Sequence, residues 1–363
     1  MKKFLISLLT LVMLVSLVSC GERFKPVKST KEEKAVVMTL SLGRETYKVK
    51  YELYRAFFLS LRDEVDGGDR SVWSGSEKDK YISKINGMIA EKIAEIYAAI
   101  HLADEIDFDI YDGDVDDLVE DYIALGVDNV KLLEKNKSGR VLTDDEAYAI
   151  YLANLKALNL NYSVHDLLFR YDIALGAVED YYFDFTNGKI GYTKNTVKDF
   201  YNSSDTVRVM QAYFNADSVE DAELRATQLK LLLDGCASDE EVADCIISRT
   251  ISSPIEVHNG TLIAKNSLYA YHYPLLAEAA FSLEVGQVSE VLHISDNNGD
   301  GYYVLYRAEK SNENFDTAYE DFVDVYLASE FAKIYKDTIS ALKDSCKFTG
   351  KYSDIVHSRI SMD

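Results

Sequence analysis

Six histidines and four cysteines are the side chains best suited to hold a soft metal or to act as nucleophiles. His258, His272 and His293 lie in one stretch, but no spacing joins two of them into a metal pair. Surface or hydrogen-bonded structural roles are therefore expected of them. The cysteines show neither a C-x-x-C nor a Cys/His zinc pattern. Cys236 and Cys245 can meet around a helix-turn-helix corner, but spacing alone does not aim their Cβ vectors. Buried free thiols are the expectation for both, as for Cys346. Among carboxylates, the run Asp104 to Asp121 holds ten Asp or Glu in eighteen residues, none at EF-hand offsets, and reads as a solvated acidic surface. Asp296-Asn297-Asn298-Gly299-Asp300-Gly301 copies the first half of an EF-hand loop, yet Arg307 stands where the bidentate carboxylate belongs. Those Asn, Asp and Gly residues suit a hairpin turn instead. No nucleophile elbow, phosphate loop or metal-protease helix is present, so neither a metal nor a cofactor is expected.

The composition narrows the partners. Lys plus Arg is 39 against 61 Asp plus Glu, a formal charge of −22, which argues against nucleic acid because a chain this acidic does not displace counterions from phosphates. With 47% hydrophobic and 28% charged residues the chain can bury a core, and 363 residues suit about two domains. Three prolines leave no room for a polyproline spacer.

The N-terminus carries an export pattern. Lys2 and Lys3 precede an apolar run from Phe4 to Val18, too short for a stable membrane span. The run ends in Leu17-Val18-Ser19-Cys20, which resembles the lipobox of bacterial lipoproteins. That resemblance makes 1–19 a signal peptide and Cys20 the lipidated residue, on the extracytoplasmic side of a bacterial membrane. Cleavage removes both lysines, leaving −22 − 2 = −24. Residues 20–34 read as a polar tether whose four lysines and one arginine, against three glutamates, can sit near anionic head groups.

The elements that would position any site follow from periodicity. Residues 35–42 alternate as a strand, and Tyr47 to Arg62 reads as an amphipathic helix. Ile82, Ile85, Ile89, Ile93, Ile96 and Ile100 mark a long helix from Glu77 to Ala103. Further helices are expected at Val115–Lys135, Thr143–Leu158 (opened by a Thr143/Glu146 capping box), Ser163–Phe185 (capped by Ser163) and Lys194–Asn202. The pattern then changes to a strand at Val207–Phe214 and a helix at Ser218–Leu233 closed by Gly235. A short helix capped by Ser238 and Glu241, an irregular segment, and a helix begun by Pro274 follow. A hairpin of Val288–His293 with Tyr302–Ala308 precedes one long helix, Phe315–Ser345.

This order, and several motifs in it, resembles the parvulin-containing foldases of the SurA and PrsA type. Gly191 to Tyr201, followed by Val207-Arg208-Val209, is similar to the family's entry into its parvulin domain. Asn259-Gly260-Thr261-Leu262 is similar to its Gly-Gly-x-Leu-Gly turn, Pro274 to Ser289 to its helix-plus-turn signature, and Gly301-Tyr302-Tyr303-Val304-Leu305 to its last strand. The match spans about 105 residues and extends more weakly into the flanking helices. It implies an α+β fold, with a mainly helical chaperone domain (35–206, completed by 311–363) and an inserted parvulin-like domain (207–310). Exported, unfolded polypeptides would be the partners, cradled by the apolar faces of 47–62 and 143–183.

The family's catalytic residues do not carry over. Its two histidines fall on Gln211 and Tyr303, and its Cys or Asp falls at Thr250. None of these titrates near neutrality, so the His-centred network is absent. The family's proline pocket falls on Tyr271, Leu275 and Phe281, and with Leu262 these form an apolar recess that can still bind a peptide. The resemblance thus implies a client-binding foldase with a degenerate isomerase domain. An active peptidylprolyl isomerase and a cell-surface binding lipoprotein are the alternatives.

Overall fold

A computed structural model describes residues 27–184, 189–216, 221–250, 253–267, 269–270, 273–296, 299–349 and 355–362. The expected signal peptide and Cys20 lie outside the described residues. The chain divides into two compact units, one of residues 182–334 and one of the described residues up to 181 together with those from 335 onward. The fold is α+β and mainly helical, with a three-stranded and a four-stranded antiparallel sheet.

The discontinuous unit opens with β1 (Val36–Leu42) and β2 (Glu45–Lys50), joined through Gly43 at φ +60°. Tyr47 therefore lies in a strand, and helix α1 begins only at Tyr51 and runs to Asp66. Alternation in Glu45-Thr46-Tyr47-Lys48-Val49-Lys50 outweighs the helical reading of that segment, because Val49 is buried between exposed neighbours. Tyr54 and Phe58 of α1 are fully buried and give that side of the helix to the core, while Tyr51 and Phe57 are only partly buried. Helix α2 (Lys78–Glu105) buries Ile85, Ile89, Ile93, Ile96 and Ile100. Helix α3 (Gly113–Ser138) packs Val115, Val119, Ile123 and Val127 against Ala147, Tyr151 and Leu155 of α4 (Asp144–Ala157). The Thr143/Glu146 capping box forms in full.

Helix α5 (Tyr162–Phe183) is capped by Asn161, whose Oδ1 accepts from the Val164 N–H at 2.9 Å, rather than by Ser163. Ser163 instead donates to Glu52, which also accepts from Ser29 and Asn161. Glu33 pairs with Arg55 at 2.8 Å. Residues 29–35 are thus bonded to the folded body, and the expected tether is shorter than 20–34. Strand β7 (Lys347–Phe348) pairs with β1, and the Tyr335 hydroxyl donates to the Glu95 carbonyl at 2.8 Å.

The contiguous unit is built on a sheet ordered β4-β3-β6-β5. Its strands are β3 (Thr206–Asn215), β4 (Thr261–Ala264), β5 (Leu292–Asp296) and β6 (Gly299–Ala308). Helices α7 (Ala222–Leu233) and α8 (Asp239–Ile247) cover one face, where Met210, Ala212, Phe214, Val304 and Tyr306 meet Leu229, Val242 and Ile246. Helix α10 (Pro274–Ser282) lies on the other face, packing Leu276, Ala277 and Ala280 against Val207, Val209, Ile263 and Leu305. Helix α6 (Lys194–Asn202) joins a third cluster with Phe315 and Phe322.

Several boundaries differ from the periodicity reading. The segment expected to be irregular contains helix α9 (Pro254–Asn259) and β4, too short to register as alternation. The hairpin is β5 with β6, paired through Asp296 and Gly299, while Val288 makes only an isolated bridge to Tyr306. Residues 297 and 298 of the EF-hand-like loop lie outside the described residues. Gly235 is not left-handed, and Glu241 accepts from the Ala237 N–H rather than from Ser238. The long C-terminal helix is two, α11 (Asn312–Thr317) and α12 (Tyr319–Asp344), broken at Ala318 where φ is −110° and ψ 26°. Among the described residues no helix is long and apolar enough to cross a membrane.

Candidate functional site

Strand parity decides which side chains can meet. Side chains directly opposite each other in an antiparallel pair share a face. Gln211 pairs with Leu305 and Tyr213 with Tyr303, so Gln211, Tyr213, Tyr303 and Leu305 occupy the face away from α7 and α8. Gln211 and Tyr303, aligned with the family's two histidines, are therefore neighbours on adjacent strands. The Tyr213 and Tyr303 rings are 4.6 Å apart between centroids and tilted by 33°. Gly301 makes that placement possible, because a Cβ there would strike the Tyr213 ring.

Further aromatic groups border this face. Tyr269 and Tyr273 approach to 5.2 Å, and burial, with Tyr303 and Tyr273 nearby, pushes the Tyr269 hydroxyl well above its ordinary range. Phe281 is partly buried in the same cluster, with the Lys265 ammonium 5.3 Å from its ring centre. Leu275 is 58% exposed at the start of α10, an apolar side chain with little to pack on. The Gln211 Oε1 is buried without a hydrogen-bond partner, an acceptor left unsatisfied at some energetic cost.

Two expected members do not join. Leu262 pairs with Arg208, which places it on the opposite face, where it packs with Val197, Tyr201 and Phe315. Its neighbour Ile263 takes the expected place, since one step along a strand reverses the face. Thr250 stays at the end of α8, its hydroxyl donating to the Ile246 carbonyl at 2.9 Å, and α8 packs on the other face of the sheet. Tyr271 lies outside the described residues.

Tyr213, Tyr269 and Tyr273 were not among the candidates. Alternation through Val207, Val209 and Gln211 points to Tyr213, and the four-residue spacing of Tyr269 and Tyr273 was the other available signal. The side chains gathered here are aromatic, aliphatic or amide. They can stack on a peptide and exchange hydrogen bonds with its backbone, but none can shuttle a proton near neutrality. His293 pairs with Tyr302 on the opposite face, where it stacks on that ring and bonds Asp300. Among the described residues no group of three or more His, Cys, Asp or Glu side chains could hold a metal ion.

No protein-family model matches the chain, and no curated protein matches it. Solved structures do. Foldase protein PrsA from Streptococcus pneumoniae is 13% identical, over 83% of this chain and 93% of that one, with a TM-score of 0.24. PrsA from Bacillus subtilis is 12% identical over 78% and 93%, with a TM-score of 0.23. Foldase protein PrsA from Lactococcus lactis is 12% identical over 90% and 99%, with a TM-score of 0.21.

Proposed function

We propose that this chain is an extracytoplasmic, lipid-anchored chaperone that holds unfolded exported polypeptides beside α10, on the sheet face away from α7 and α8, in a parvulin-like unit that lacks isomerase chemistry. The observation that carries this reading is the orphaned Gln211 Oε1 beside the Tyr213–Tyr303 pair. An extended client brings apolar side chains to cover the rings and Leu275, and its backbone N–H groups satisfy the Gln211 acceptor once that side chain turns outward.

The test pairs two exposed positions. A Tyr213→Ser, Leu275→Ser double variant is expected to bind an unfolded client at least about tenfold more weakly, since each truncation of an apolar contact of this size costs about 1 kcal/mol or more. Both residues are exposed, at 37% and 58%, so the fold should survive. Undiminished suppression of client aggregation by the folded variant would remove the site from this face. Protection of several unrelated clients separates a general holdase from a surface protein with one partner.

The isomerase reading has one point in its favour. Gln211 aligns with one of the family's two histidines, and its amide has donors to offer a twisted prolyl peptide. The uncatalysed barrier is about 20 kcal/mol. Reaching about a hundred turnovers per second requires removing roughly 4–6 kcal/mol, whereas one well-aimed bond supplies about 1–3 kcal/mol. Only tighter binding of the twisted state counts. Little acceleration of a prolyl peptide is therefore expected, and little change in Gln211→Ala or Tyr303→Phe. Robust turnover that collapses in either variant would put the enzyme first.

The anchor is tested separately. Cys20→Ser should move the protein from the membrane fraction to a soluble form or leave it as an uncleaved precursor, because two acyl chains give stable attachment where one is marginal. A Ser variant that is correctly cut and still membrane-bound would end the lipoprotein reading.

A further inference from the structure

Cys236 follows the end of α7, and Cys245 lies in α8, nine residues further along the chain. Their sulfurs are 3.7 Å apart, and both residues are partly exposed. They pack at the margin of the cluster formed by α7, α8 and the covered face of the sheet. Cys346, by contrast, belongs to the other unit. A disulfide needs about 2 Å between sulfurs. Rotation of the two side chains about Cα–Cβ is the motion that closes the remaining gap.

We propose that Cys236 and Cys245 are a disulfide-forming pair that staples the end of α7 to α8 once the chain meets a disulfide oxidant. The chemistry balances as an exchange. One thiolate attacks the oxidant's S–S bond and expels a thiolate, giving a mixed disulfide on the protein. The second cysteine, deprotonated, then attacks its partner's sulfur and expels the other half of the oxidant. Two S–H bonds and one S–S bond are lost, one protein S–S bond forms, and the oxidant leaves as two thiols. Burial, and then Cys245, push the Cys236 thiol up to about 11. Reactive redox cysteines have depressed values instead, so the pair fits a staple better than an exchange catalyst.

The sequence supplies a clean readout, because no Lys or Arg lies between Lys230 and Arg249 and both cysteines fall in one tryptic peptide, Leu231–Arg249. The purified full chain is incubated with oxidised glutathione, its free thiols are blocked with iodoacetamide, and it is digested. The expected peptide is lighter by two hydrogens and carries no label, while Cys346 remains free to react. Cys236→Ser and Cys245→Ser should each leave the remaining cysteine of the pair carrying a glutathione adduct, which the unsubstituted chain does not retain. Oxidation should raise the thermal midpoint of the contiguous unit, and the double Ser variant should lose that difference. A doubly labelled peptide, a persistent glutathione adduct in the unsubstituted chain, or identical midpoints for its oxidised and reduced forms would overturn the proposal. Client binding does not enter this measurement, so its outcome is independent of the holdase reading.

Discussion

Replacing Arg208 by Met is expected to destabilise the contiguous unit by about 3–5 kcal/mol, the range found when one partner of a buried charged network is removed. The Arg208 side chain is 2% exposed, although it sits in the middle of a sheet. Its Nε donates to the Asn259 carbonyl at 2.7 Å, Nη2 to His258 at 2.6 Å and Nη1 to Glu309 at 2.8 Å. Asp239 lies 3.3 Å from Nη1 and supplies the countercharge. One guanidinium thus ties β3 to the end of α9 and to the chain leaving β6. Gly260, at φ +70°, lets the backbone come within van der Waals reach of that side chain. Methionine keeps most of the volume but leaves three carbonyls unpaired. For a unit of this size the loss corresponds to a fall in thermal midpoint of about 10 °C. Lysine should not rescue it, since one ammonium cannot reproduce a planar fork reaching three acceptors. A loss below about 1 kcal/mol would mean that water replaces the guanidinium without penalty.

In mild acid His357 should stop contributing to the stability of the discontinuous unit. That imidazole is 7% exposed among Tyr54, Phe58 and Trp73, with Nε2 3.1 Å from the Tyr54 hydroxyl. Burial pushes it down to about 4. Because the unfolded chain takes up its proton near pH 6.5 and the folded one does not, stability is lost as pH falls from about 6.5 to 4, by about 2–3 kcal/mol. Trp73, stacked on the imidazole, donates its indole N–H to Asp66 Oδ2 at 2.6 Å. Two other groups act in the opposite sense. Burial raises Glu179 to about 7, with Asp180 adding to it, and raises Asp172 to about 6, so both take up protons in the folded state first. Glu33 acts only in stronger acid. Burial opposes its ionisation, but the Thr30 N–H and Arg55 hold it at about 2. A variant difference isolates the histidine. His357→Gln should be less stable than the unsubstituted chain at neutral pH, and denaturant unfolding should show that gap shrinking by about 2 kcal/mol between pH 7 and pH 4.5. A gap constant with pH would show that His357 is protonated as easily folded as unfolded.

What the residues revealed, and what they hid, follows one physical rule. Local chemistry was readable: the Thr143/Glu146 box and Pro274 at the start of α10 depend on neighbours within a turn. Long apolar stripes such as the isoleucines of α2 were readable for the same reason. Parity across a four-residue strand was not. Thr261–Ala264 gives too few alternations to fix a register, and the slip put Leu262 into the recess in place of Ile263. Arg208 was hidden by its own type, since a charged residue in a strand reads as solvent-facing until its three carbonyl partners converge. The Cys236–Cys245 approach depends on how two helices meet, and spacing carries no information about that. Tyr54 and Phe58 marked an apolar helix face without showing that the unit's own core would consume it.

The pairing of β1 with β7 also sets a schedule. Thr39 pairs with Lys347 and Met38 with Phe348, the Ser41 N–H donates to Ser345 at 2.7 Å, and Tyr335 reaches back to Glu95. A chain delivered N-terminus first, from a ribosome or through a translocation pore, cannot make these contacts until residues 335–348 emerge. Residues 182–334 are contiguous and complete earlier. Domains generally fold as units in order of emergence, and contacts this distant in sequence are slow to form. The middle of the chain is therefore expected to fold while β1 still shows an open hydrogen-bonding edge on the side that awaits β7. During that interval the nascent chain is itself an unfinished polypeptide, with an exposed edge and apolar side chains of the kind that the proposed holdase would shield in others.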